Sequence, residues 1–403
     1  MSEVSQSLEG HESIPGRNWK IFSEAQLGPV KLRNRIIKAA TFEGMTSKHV
    51  VSDALVDFHT RIARGGVGMT TIAYCAVSPE GCGAPNEMIL SKDAIPGLQR
   101  IADAVHAEGA AISAQIGHAG AVASTTGRRG RSPSRIFSPL AMRRTNPVDR
   151  DDIERITQEF VDAARVALEG GLDAIELHLG HGYLLSEFLS PSLNRRDDEY
   201  GGSLENRARF PLAVVRRVRE AVGTRLAVIA KLNMDDGVPG GFWVEESVRF
   251  ARMLESDGAL DAIELTGGSS LQNPMYLFRG EVPLREMAEN MPSAVKWGLR
   301  LFGRFFFRAY PFEEAYFLAY ARQFREALSM PLVLLGGISN LETLELAMAE
   351  GFEFAAMGRT LLREPDLPLR YQNGSATNSL CIHCNKCMPT IYQGTHCVLI
   401  ESK

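Results

Sequence analysis

The chain has 403 residues, 45% of them hydrophobic and 23% charged, with a formal net charge of −4 at pH 7. That composition supports a large buried core, either two average domains or one large α/β barrel. The interspersed charges lack the clustered basic excess that a nucleic acid partner requires, and no apolar run reaches the roughly 18 residues of a membrane helix.

Residues 1–18, MSEVSQSLEGHESIPGRN, have neither a basic start nor an apolar stretch. They read as a disordered arm and not as a signal peptide, so a soluble, cytoplasmic protein is expected. From residue 35 to about 370 a strand-then-helix cadence recurs. The strand candidates are 35–41, 67–77, 110–118, 173–182, 226–233, 261–268, 331–337 and 352–359. They are apolar almost throughout, as parallel strands buried on both faces are. Between them, Leu98, Ile101, Ala102 and Val105 line a helical face before Gly109. Ile156, Phe160, Ala163, Ala164 and Ala167 do so before Gly170 and Gly171, Val248, Ala251 and Leu254 before Gly258, and Leu341, Leu344 and Met348 before Gly351. Glycine just past an apolar stripe is a helix C-terminal signal. The phrase DAIEL occurs twice, at 173–177 and 261–265. Eight strands alternating with helices predict a TIM (β/α)8 barrel over 19–370. A doubly wound sheet is the alternative, but no GxGxxG follows the first strand.

Two stretches exceed the repeat: 121–150, rich in Ser, Arg and Pro after strand three, and 269–330 after strand six, with WGLRLFGRFFFRAYPF inside it. Both follow strand C-terminal ends, where barrel enzymes carry their active-site loops. The second fits a lid or subunit-packing element, so a homo-oligomer is compatible; a membrane-surface helix is the alternative.

The strand ends carry unusual chemistry for so apolar a frame. They present Ala40-Thr41-Phe42, Tyr74, Gln115 with His118, His178 with His181 and Tyr183, Lys231, Gly336-Gly337 and Gly358-Arg359. Glycines ending strands seven and eight let backbone N–H groups approach a phosphate, and Arg359 adds a charge-assisted contact. Ser339 or Asn340 would cap the following helix and aim its positive end at the same anion. Turn chemistry alone explains the glycines but not Arg359. Lys231 ends an apolar strand and needs an anionic partner; it suits a Schiff base, a structural ion pair or a charge facing an anionic cofactor. For His178 and His181 three readings stand: buried structural histidines, a metal pair completed by His118, or neutral hydrogen-bond donors beside Tyr183. The third suits a reaction that develops charge on a carbonyl oxygen and then takes a proton.

NRIIKAAT, QIGHAG, IELHLGHGYLLSEFLSPSLNRRDDEYGGSLENRARF and VLLGGIS with MGRTLLREPDLP resemble, in order over residues 20–370, the old yellow enzyme family of FMN-dependent oxidoreductases. The resemblance implies a TIM barrel binding FMN non-covalently, NAD(P)H as electron donor, and hydride transfer to an activated alkene of a small-molecule substrate. It places Gln115 and Lys231 at the flavin ring, the main chain of Ala40, Thr41 and Tyr74 along it, and Gly336, Gly337, Gly358 and Arg359 at its phosphate. His178 and His181 would bind the substrate oxygen and Tyr183 would donate the proton. Two positions depart from the family: Ala40 stands where proline is common, and Phe42, at the substrate side, stands where threonine or cysteine usually tunes the flavin.

Residues 371–403 form a cysteine-rich extension in which Cys381, Cys384, Cys387 and Cys397 are spaced C-x2-C-x2-C-x9-C. The spacing suits [4Fe–4S] or zinc. The segment resembles the iron–sulfur segment of multidomain relatives of the dienoyl-CoA reductase and trimethylamine dehydrogenase type, with a shorter last gap, and a metal-free remnant is the further alternative. The leading expectation is thus an NAD(P)H-dependent ene-reductase. The alternatives are an FMN-dependent dehydrogenase or demethylase of a small substrate, and a metal-dependent hydrolase using His118, His178 and His181.

Overall fold

A computed structural model describes residues 18–123, 129–139, 141–289, 296–297, 303 and 307–400. Eight parallel strands close on themselves: β1 (Ile36–Lys38), β2 (Met69–Ala76), β3 (Ala111–Gly117), β4 (Ala174–Leu179), β5 (Ala227–Asn233), β6 (Ala262–Thr266), β7 (Leu332–Leu335) and β8 (Phe354–Met357), with β8 pairing β1 and β1 pairing β2. All eight fall inside the apolar runs of the sequence. Each is one to four residues shorter than its run, because pairing stops where the chain bends toward a loop. A two-residue strand, Met88–Ile89, adds to the outer edge of β2.

The helices that alternate with the strands are α1 (Asp53–Arg64), α2 (Ile95–Ala107), α3 (Arg150–Glu169), α4 (Leu184–Leu189), α5 (Leu204–Val222), α6 (Val244–Asp257), α7 (Leu318–Ala327), α8 (Leu341–Ala349) and α9 (Arg359–Arg363), and short helical turns lie at Pro274–Leu277, Leu284–Glu289 and Leu367–Gln372. Capping sets several of their starts. Ser52 accepts from Leu55 N–H at α1, Asp149 and Asp152 form a reciprocal capping box at α3, and Asn340 accepts from Thr343 N–H at 2.7 Å at α8. Of the two residues read as candidate caps, Asn340 is the one that does so. The helix α7 lies within 269–330, so the excess over the repeat ends before Leu318; the rest of that stretch is the β6–α7 loop. Half of WGLRLFGRFFFRAYPF lies outside the described residues, as does nearly all of the N-terminal arm. No described helix is long and apolar enough to cross a membrane.

The main core lies between the outer strand faces and the helices, and a second layer fills the barrel. That inner layer joins Ile37, Met69, Phe354 and a ring of alanines (111, 174, 227, 262) to Leu27 and Leu32 of a hairpin, Ala25–Leu27 with Val30–Leu32, which plugs the barrel floor. The two DAIEL copies do the same work at that end. Asp173 Oδ2 accepts from Ile112 N–H at 2.8 Å, and Asp261 Oδ2 from Val228 N–H at 2.7 Å. With the floor plugged, chemistry is left to the opposite, C-terminal mouth.

The cysteine-rich extension lies over that mouth. Thr395 N–H donates to Glu43 O at 2.7 Å, Asn385 Nδ2 to Phe278 O and Glu281 O at 2.7 and 2.8 Å, and Ser379 N–H to Ser339 O at 2.8 Å.

Candidate active site

The three strands β4, β5 and β6 set a buried charge cluster by register alone. Lys231 pairs across the sheet with His178 on one side and Glu264 on the other, and Glu176 lies one inward-facing position below His178. Lys231 Nζ sits 3.1 Å from Glu176 Oε1 and forms a close ion pair with Glu264. Gln115 Nε2, on β3, donates to Glu176 Oε1 at 2.6 Å. Glu176 and Glu264 are fully buried. They are the glutamates of the two DAIEL copies. Burial works against the Lys231 ammonium, yet the two carboxylates outweigh it and hold its pKa above the ordinary lysine value. Burial, with the Glu176 charge beside it, pushes Glu264 up to about 8. The cluster therefore presents one firm cation to the mouth, backed by two buried carboxyl groups.

Beyond Leu179 the chain turns sharply. His181 adopts φ 60° and Gly182 φ 72°, and a Cβ on Gly182 would lie 2.8 Å from Ser269 Oγ. This turn is clamped: His181 N–H donates to Asn233 Oδ1 at 3.0 Å, and His181 Nε2 lies 2.8 Å from Thr266 Oγ1. The His178 ring meets the His181 ring edge-on at 5.0 Å and the Tyr183 ring at 4.4 Å; Tyr183 in turn lies 5.0 Å from Tyr74. Burial, then the neighbouring His181 and Lys231, hold His178 well below the ordinary imidazole range, and burial with Lys231 brings His181 to about 3. Both are neutral at physiological pH. Burial, then the charge of Glu87, raises the Tyr183 phenol, so it keeps its proton. His178 Nδ1 is buried without a hydrogen-bond partner among the described residues. The arrangement offers neutral N–H donors and an undissociated phenol at one spot, which can stabilise developing negative charge and deliver a proton.

Ala40, Phe42 and Tyr183 each pack against the buried cluster of Ala73, Tyr74, Ala76 and Cys82, so the ends of strands one and four meet at that of strand two. Thr41 Oγ1 donates to Ala39 O at 3.2 Å. Under this loop Glu43 accepts from Lys38 Nζ at 2.6 Å and from Ala73 N–H at 2.9 Å, fixing its path. On the far side, Gly336 (φ 109°) and Gly337 (φ 76°) have no room for a side chain. A Cβ would come within 2.5 Å of Phe317 at the first and 2.6 Å of the Tyr316 ring at the second. Gly358 precedes Arg359, whose guanidinium donates to Arg279 O at 2.8 Å and to the Asn385 side chain.

The metal reading of the histidines is not supported by the geometry. His118 turns away from the pair: its Nδ1 accepts from Gly120 N–H at 3.1 Å, and its charged surroundings are Glu80, Arg155, Arg131 and Asp152. Among the described residues no three His, Cys, Asp or Glu side chains stand as a metal-ligand set, the tail cysteines included. Cys381, Cys384, Cys387 and Cys397 nonetheless line one small cavity together with Arg359 and Asn385. Sequence reasoning missed Glu176, Glu264, Asn233 and Thr266. The repeat of DAIEL was the available signal for the first two; nothing local marked the others.

Over residues 20–265 the chain matches the NADH:flavin oxidoreductase / NADH oxidase family. It is 54% identical over 384 residues to a 4,4'-dithiodibutanoate disulfide reductase from Rhodococcus erythropolis, covering 95% of each chain. It is 33% identical to an NADH oxidase from Thermoanaerobacter brockii, over 91% of this chain but 52% of that protein, so it spans about half of that relative's length. In fold it is similar to the old yellow enzyme homologue from Zymomonas mobilis, with a TM-score of 0.71 at 24% identity, covering 91% of this chain and 96% of the other. The closed barrel, the chemistry of its strand ends and these kinships converge: the chain belongs to the NADH:flavin oxidoreductase / NADH oxidase family, the FMN-dependent NAD(P)H oxidoreductases of old yellow enzyme type.

Proposed function

We propose that the chain passes two electrons from NAD(P)H to a small disulfide of a carboxylic acid, cleaving it to two thiols. The observation that carries this reading is the convergence of His178, His181 and Tyr183, all neutral, at a mouth whose sequence kinship is to a disulfide reductase. The residues fit FMN: a cation and an amide on adjacent strands (Lys231, Gln115), side-chain-free turns at Gly336, Gly337 and Gly358, Arg359 beside them, and an unpartnered His178 Nδ1. Bound there, with the main chain of Ala40, Thr41 and Tyr74 along its ring, FMN supplies two-electron transfer between the nicotinamide and the substrate.

The protein's own part is to bind, orient and protonate. The sum is NAD(P)H + H+ + RSSR → NAD(P)+ + 2 RSH. The S–S bond breaks, the electron pair ends on sulfur, and the Tyr183 O–H protonates a departing thiolate before solvent restores it. The histidine N–H groups stabilise the negative charge on the second sulfur until it is protonated.

Reduction of an activated alkene is a second reading, favoured by the same pair of neutral donors. His178 and His181 would hold a carbonyl oxygen while Tyr183 protonates the α-carbon and Phe42 walls the substrate. The test is anaerobic: protein loaded with FMN and reduced by NAD(P)H is mixed with 4,4'-dithiodibutanoate or with cyclohexenone, and flavin reoxidation is followed. Fast reoxidation by the disulfide supports the first reading and by the enone the second; reoxidation by neither sinks both.

The four tail cysteines match a [4Fe–4S] cluster in donor type and number and line one cavity with Arg359, although among the described residues no three of them stand as a ligand set, and we infer that they take up such a cluster. Iron and acid-labile sulfide measured after anaerobic purification test this; zinc, or neither metal, would refute it.

A further inference from the structure

Arg279 lies in the β6–α7 loop inside a cage of aromatic rings. Its guanidinium carbon is 4.8 Å from the centre of the Tyr316 ring, 5.3 Å from Tyr276, 5.7 Å from Phe317 and 5.9 Å from Tyr310. Among the described residues this guanidinium donates no hydrogen bond and joins no ion pair, and its Nε is buried without a partner. Ring faces attract a cation but do not occupy the five N–H donors of its planar fork. A buried donor left unpaired is costly, so the fork calls for an acceptor. Asp235, the carboxyl whose charge reaches it, is engaged by Tyr276 O–H at 3.1 Å and by Gly237 N–H at 2.5 Å.

The cage stands over the catalytic mouth. Phe317 abuts Gly267 at the end of β6 and Gly336 at the end of β7, and Arg359 after β8 donates to the Arg279 carbonyl. Arg359 and the glycine turns already supply the phosphate position, which leaves the Arg279 fork for a second oxyanion. We propose that Arg279 binds a carboxylate of the substrate, so that the enzyme selects acidic substrates over their neutral esters. This rests on the reading of the site as a reductase of small carboxylate-bearing disulfides. Planar bidentate pairing with carboxylate is what a rigid guanidinium does best.

The test compares the FMN-loaded wild type with Arg279→Met and Arg279→Lys, measuring binding of 4,4'-dithiodibutanoate and of its dimethyl ester by perturbation of the oxidised flavin spectrum. Arg279→Met is expected to weaken the diacid by about 10-fold to 100-fold and the diester by less than about twofold, with Arg279→Lys between. Equal weakening of acid and ester would overturn the proposal by making Arg279 a structural post. Loss of FMN with the acid preference retained would overturn it in favour of the cofactor phosphate. Should the wild type bind the diacid through Arg279 yet reduce no disulfide, the anion site stands and the disulfide reading alone falls.

Discussion

Replacing Lys231 by methionine keeps the length of the side chain and deletes its ammonium. Glu176 and Glu264, both fully buried, would then face each other with Gln115 as the remaining hydrogen-bond donor between strands. Breaking a buried ion pair by removing one partner costs about 3–5 kcal/mol, because the stranded charge stays out of water. Against a total stability of roughly 5–15 kcal/mol, that is a large loss. The penalty depends on pH with a definite sign. Glu264 has a folded-state pKa of about 8, above the ordinary carboxyl value, so the native state holds its proton more tightly than the unfolded chain does. Stability from that proton is complete below the unfolded pKa and is lost as pH rises through the folded one. Without Lys231 the native pKa climbs further, so Lys231→Met should be least destabilised at about pH 6 and most at about pH 8.5. Adding Glu264→Gln should recover at least about half of the loss at the higher pH, since one of the two stranded charges is gone. Urea unfolding of the FMN-free protein, followed by circular dichroism, measures all of this. Lys231→Met within about 0.5 kcal/mol of wild type at both pH values, or a Glu264→Gln addition that worsens it, would refute the account of this cluster.

Tyr183→Phe should leave flavin reduction by NAD(P)H nearly intact and slow reoxidation by the acceptor about 100-fold or more, in stopped-flow absorbance; equal rates in both halves would remove the tyrosine from proton transfer. With His181 at about 3 and His178 also held low, the acceptor half-reaction should show no histidine titration between about pH 5 and pH 8. For the same reason stability should fall as pH drops below about 6.5, where the unfolded chain takes up protons that the native state refuses. Gly336→Ala forces a Cβ to within 2.5 Å of Phe317 at a φ of 109°. It should cost about 1–3 kcal/mol and lower FMN retention on gel filtration; unchanged stability would show that the turn yields.

Much of the fold was legible because its signals are local. Runs such as LAVIAKLN and PLVLLGG are apolar on both faces, which only a covered parallel strand requires, and glycines after apolar stripes marked helix ends. The strand-end residues were legible for a related reason: a lysine, a glutamine or two histidines closing an apolar run are out of place unless a mouth needs them. The β6–α7 loop was not legible in this way. Its boundary was read too long because the stripe of α7, Leu318, Ala321 and Phe324, follows a stretch of aromatics that hides its period.

What the sequence by itself determined is the alternation of strand and helix, the end of each strand that faces chemistry, and the residue types waiting there. Partners were decided by tertiary structure. The ammonium of Lys231 needed an anion, but only barrel closure and register show that both DAIEL glutamates flank it from β4 and β6. His118 lies as near in sequence to a strand end as His178 does, yet its buried ring accepts from Gly120 N–H and faces the charges of Glu80 and Arg155 instead of joining the pair. The cysteine tail reads as an appendage, and only in three dimensions does it lie across the mouth and bring Asn385 to Arg359. Periodicity is written by contacts within a few residues. Pairings between strands far apart in sequence depend on the closed sheet, which brings side chains into contact whatever their distance along the chain.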